Sequence, residues 1–193
     1  MTDFDASGYL NEHLYDELRY LLCAATEWHV QQSIPEETKP VSRGGYYVQV
    51  YAMDSATVRA RALFEFFTTK HNSHHIGVNR FGLTRITSDR YENWKDPLNR
   101  YILHVNERPG GQYLSSFDYA ETKHLKDMPV DFAYEAVRLW RVFIKRLGDN
   151  KLAELAQEKL TEAIGEAERV VGSDNNHRYG VQAIDWLALT SGS

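Results

Sequence analysis

Cysteine is nearly absent from this chain. Cys23 is the single one in 193 residues, so no intramolecular disulfide can staple the fold. It lies inside an apolar helical pattern, which reads as a buried reduced thiol and not as a nucleophile. Long apolar runs are also missing: nothing approaches the roughly 18 residues that a membrane span requires. The acidic start "MTDFDASG" lacks the basic-then-apolar layout of a secretory signal. The expected location is the cytoplasm, with no membrane partner. There is no glycine-rich phosphate loop, no paired-cysteine motif and no "GxSxG" elbow, and no cofactor is expected. Positive charge is in deficit too. A net charge of -5 and a pI near 5.9 argue against non-specific coating of duplex nucleic acid, while leaving room for a small basic cleft.

What the chain does have is helical spacing. Apolar residues make up 42% and charged residues 25%, the balance of an ordinary globular protein long enough to bury a core unaided. The first helix is expected from Tyr9 to Ser33, with Leu10, Leu14, Leu18, Leu21, Ala25 and Trp28 on one stripe. "IPEETKPVSRGG" breaks it. A second helix covers Tyr47 to Thr69. An irregular crossing runs on to Trp94, in which "VNRFGLTRIT" has the pattern of a short hairpin. Asp96-Pro97 opens a third helix as N-cap and first-turn proline, and "RPGG" closes it. Residues 112–128 read as loop. Further helices are expected over Pro129–Leu147 and Asn150–Val171. The fold expected is an all-α bundle of about five helices over residues 1–172, with a tail of 173–193 adding a docking turn near Ile184 to Leu187.

Chemistry concentrates on the second and third helices. In "VRARALFEFF", Arg59 shares a line with Ala62, Leu63, Phe66 and Phe67, so its guanidinium must find an anion or backbone carbonyls. Arg61 faces elsewhere and can pair with Glu65 four residues on. On the third helix Leu98, Ile102 and Val105 form the core stripe, and Arg100, His104 and Arg108 form a separate polar line. Flanking arginines lower the pKa of His104 by like-charge repulsion, leaving it largely neutral near pH 7. A neutral imidazole can take a proton from a ribose 2′-hydroxyl while guanidinium groups stabilise the charge on phosphorus, which is metal-independent RNA cleavage.

Other patterns carry less. In "HNSHH", His71 and His75 would make an i, i+4 metal pair, but Lys70 and His71 fit better as complements to a helix C-terminus, and no metal is expected. "ETKH", Glu121 to His124, has the Glu-x-x-His form of di-iron bundles but occurs once, in a loop-like stretch. Arg138, Arg141 and Lys145 share one face of the fourth helix, which is more often a solvated face than a phosphate groove.

A helical bundle carrying "RALFEFF" and then "LNRYILHVNER" resembles the HEPN superfamily (higher eukaryotes and prokaryotes nucleotide-binding), over about residues 9–110. The resemblance implies a homodimer with a site shared across the interface, and an RNase of a toxin–antitoxin or phage-defence system. His104 and Arg100 would be catalytic, Arg59 and Arg108 would bind phosphate, RNA would be the substrate, and an antitoxin-like protein would be a further partner. The chain departs from the family pattern of an arginine, four to six residues and a histidine: only three residues separate Arg100 from His104, and the order is "NR". That departure, with the acidic pI, supports an alternative: a non-catalytic binding or assembly module of the same ancestry.

Overall fold

The structure, a computed structural model, describes residues 4–39, 48–70, 76–97, 118–120, 123–124, 127–172 and 180–188. It is a helical bundle. Asp5 caps α1 (Ala6–Tyr9) by accepting a hydrogen bond from the Gly8 N–H at 2.9 Å. One π turn, Leu10–Leu14, leads straight into α2 (Tyr15–Ser33), so the whole stretch forms one long rod. The predicted stripe is the buried one: Leu10, Leu14, Leu18, Leu21 and Ala25 are all at most 1% exposed.

Helix α3 (Val48–Thr68) packs along α2 on one side, and α6 (Lys151–Val171) packs along α2 on another. α5 (Met128–Leu147) fills the space against α2, α3 and α6. Small residues explain the close approach of α6, since Ala153, Ala156, Ala163 and Ala167 line its buried face with Leu160. Asn150 starts that helix by accepting from the N–H groups of Leu152 and Ala153, at 2.9 and 3.1 Å. Gly148, at φ 75°, makes the turn from α5, a backbone conformation that an L side chain would strain.

Aromatic rings tie α3 to α5. Phe64 meets Phe132 edge to face at 5.6 Å, Phe66 meets Phe143 at 5.8 Å, and Phe67 meets Trp140 at 6.3 Å. The indole of Trp140 also donates to the Ala156 carbonyl at 2.9 Å, joining α6 to the same cluster. From the tail, Trp186 is 2% exposed and meets Tyr134 in a tilted contact at 5.0 Å, in the expected docking turn.

Three sequence expectations are corrected between Thr69 and the start of α5. A helix, α4 (Asp89–Pro97), occupies the end of the presumed irregular crossing, so Asp96 and Pro97 stand inside a helix and not at its start, while the rest of the expected third helix lies outside the described residues. The true cap is Ser88, whose Oγ accepts from the Tyr91 N–H at 3.1 Å. "VNRFGLTRIT" forms no hairpin: Val78–Phe81 is a 3-10 turn ended by Gly82 at φ 75°. Conversely, the stretch read as loop contains a small antiparallel ladder, β1 (Asp118–Ala120) with β2 (Lys123–His124).

Two aromatic rings and one buried carboxylate seat α4. Tyr91 and Trp94 reach Phe64 at 4.8 and 6.4 Å, and Trp94 reaches Phe132 at 5.0 Å. Glu135 on α5 is fully buried, a position tolerated only because its oxygens are paired. Arg138 donates to both of them, at 2.9 and 2.6 Å, Ser88 Oγ donates to Oε1 at 2.5 Å, and Arg90 lies 3.7 Å from Oε2. The same serine therefore caps α4 and locks it to α5.

Two stability results are expected. Phe67→Ala should cost about 3–5 kcal/mol in urea denaturation, because the ring is fully buried among others. Arg138→Leu should cost about 1–3 kcal/mol by leaving Glu135 under-paired, whereas the Glu135→Leu, Arg138→Leu double variant should lose less than the two single losses added together.

Candidate functional site

Arg59 finds the anion that its place in an apolar stripe demanded. The partner is Glu17 of α2, whose Oε1 accepts from Arg59 Nη1 at 2.7 Å. The side chains are 37% and 25% exposed, so the bridge lies at the edge of the α2–α3 seam. The guanidinium also sits 5.4 Å from the centre of the Tyr20 ring. The charge that sequence reasoning assigned to phosphate is neutralised within the chain. Arg100, His104 and Arg108 lie outside the described residues, as do His71, His74 and His75. Glu121 of "ETKH" also lies outside them, and His124 belongs to a strand, which does not present the helical i, i+3 geometry of a di-iron motif. Among the described residues no group of three or more His, Cys, Asp or Glu side chains is placed to hold a metal.

Of the fourth-helix basic line, Arg138 is committed to buried Glu135, which removes it from a solvated groove. Arg61 pairs with Glu65 at 2.7 Å across one helical turn, as its spacing predicted. That pair, however, lines an open cleft of about 540 Å³ between the end of α3, the loop before α4, and α4 itself.

Four cationic side chains, Arg61, Lys70, Arg85 and Lys95, line this cleft against two carboxylates, Glu65 and Glu92. The local excess is positive on a chain whose net charge is negative. Arg61 is held by Glu65, and Lys95 stands 3.9 Å from Glu92. Tyr91 lies in the wall, and burial, aided by the charge of Glu65, pushes its hydroxyl up to about 12, so it stays a neutral donor at physiological pH. The loop is braced from beneath. Arg146 donates to the carbonyls of Thr84 and Arg85 at 3.0 and 3.1 Å, and the Ile86 N–H donates to Phe67 at 2.8 Å.

Sequence reading missed the cleft because its cations come from three separate segments and show no common spacing. The only local signal was Ser88, a capping residue before "DRYENW".

Cys23 is half-buried, and burial, with the charge of Glu166 nearby, pushes its thiol up to about 11. This fits the inert thiol read from the sequence. No helix among the described residues is long and apolar enough to cross a membrane. The chain matches no protein-family model, no curated protein and no solved structure.

The Arg59–Glu17 bridge is partly exposed and should be modest. A double-mutant cycle with Arg59→Met and Glu17→Gln should give a coupling of about 0.2–1 kcal/mol, and a coupling near zero would show that the pair does not hold in solution. At pH 8 Cys23 should react with a disulfide reagent far more slowly than a free thiol, with the normal rate restored in denaturant. Rapid labelling of the folded protein would contradict its protonated, shielded state.

Proposed function

We propose that this chain is a HEPN-like helical protein working as a homodimeric binding and assembly module. The observation that carries this reading is the Arg59–Glu17 bridge. A guanidinium already held at 2.7 Å by a carboxylate of its own subunit is a poor phosphate ligand, because an incoming phosphate would have to displace it or share it. The surface around it supports assembly. Tyr51 and Val58, two turns apart on α3, are 52% and 50% exposed, and Tyr20 at 43% lies under Arg59. Tyrosine and arginine are among the residues enriched at protein interfaces.

A second reading keeps the chain an RNase of a toxin or phage-defence system. His104 would act as general base or acid, with Arg100 beside it and Arg108 on the phosphate. Its support is the basic cleft: Lys95 lines it, and the sequence reaches Arg100 five residues later. RNA would then be the substrate, and an antitoxin-like protein a natural partner.

Sedimentation equilibrium and RNA digestion separate the two. The assembly reading expects a dimer that Val58→Asp dissociates without loss of helical content, and no cleavage of total RNA in EDTA. A wild-type protein that remains monomeric at high concentration would remove it. Cleavage by wild type that His104→Ala abolishes would establish the enzyme instead.

A further inference from the structure

We infer that the cleft between α3 and α4 is a binding site for a phosphate-bearing ligand, read mainly through its charge. This goes beyond the assembly reading and does not depend on it. Of the four cations, Arg61 and Lys95 have carboxylates near them, whereas Lys70 and Arg85 have no ion-pair partner among the described residues. Two unmatched cations lining one cleft add to its positive potential, which a bound anion would offset.

The cleft is also built, not incidental. The backbone that carries Arg85 is fixed by Arg146 from α5 and by the Ile86–Phe67 bond. Lys95 and Tyr91 ride on a helix locked by Ser88 and Glu135. The backbone positions of Arg85, Tyr91 and Lys95 are thus set before a ligand arrives, which lowers part of the ordering cost of binding.

The wall chemistry narrows the ligand. Arg85, with no carboxylate partner among the described residues, offers a planar fork suited to two phosphate oxygens, Lys70 and Lys95 offer point charges, and Tyr91 supplies a neutral hydroxyl. Apart from Tyr91 the lining residues are polar or charged, which favours a charged ligand over one bound by its apolar area. A volume of about 540 Å³ is the size of a small-molecule site, enough for a mononucleotide or a short stretch of sugar-phosphate backbone.

The test is calorimetric titration of the full chain with three probes: inorganic pyrophosphate, a nucleoside monophosphate, and a single-stranded RNA decamer without terminal phosphates. Binding of at least one probe is expected, weakened tenfold or more by the Lys70→Glu, Arg85→Glu double variant. Lys151→Glu, at the start of α6 and outside the cleft lining, should leave it unchanged. Both cleft residues are exposed, so helical content should survive, and Lys70→Gln with Arg85→Gln should give an intermediate loss. Binding of the decamer alone identifies a phosphodiester chain as the ligand, with affinity falling as salt rises by about 0.7 log units per log unit for each phosphate contacted. Binding of the two small probes alone identifies a free phosphorylated metabolite. If no probe binds, or charge reversal changes affinity less than twofold, the proposal is overturned.

Discussion

The aromatic face of α3 is the constraint on which the described structure depends. Phe64, Phe66 and Phe67 point three rings into the space between α3 and α5, where Phe132, Trp140 and Phe143 meet them edge to face. Ring quadrupoles favour these tilted contacts over flat stacking, so the seam fixes orientation as well as burial. Phe64 then receives Tyr91 and Trp94 of α4, and Trp140 bonds to α6. Removing one of these rings opens a void touching several elements at once.

A single buried carboxylate converts that packing into a defined surface. Glu135 has no access to water, so its position is acceptable only with Arg138 and Ser88 in place. Through Ser88 it fixes where α4 begins, and hence where Lys95 and Tyr91 stand. Arg146, one residue from the end of the same helix, holds the preceding loop. α5 is thus the ruler against which both walls of the basic cleft are set.

Arg59 shows how a correct local inference leads to different chemistry once the chain is folded. Its place on the apolar line demanded an anion, and an anion is there. Sequence could not say that it would be Glu17, 42 residues away, because nothing in the spacing of α2 relates it to α3. Arg61 was legible because its partner is one turn away. Arg100, His104 and Arg108 lie outside the described residues.

The sequence by itself determined the long helices. The first, second, fourth and fifth expected helices fall within a few residues of α1 to α3, α5 and α6, because a 3.6-residue apolar period and local caps are properties of neighbouring residues. It also determined the docked turn around Trp186. Only the tertiary structure decided the placement of α4, whose short, strongly polar sequence offers few apolar positions and whose stability comes from Glu135 and the rings of α3 and α5. It alone assembled the cleft too, since charges drawn from α3, a loop and α4 become one field only when packing brings them together.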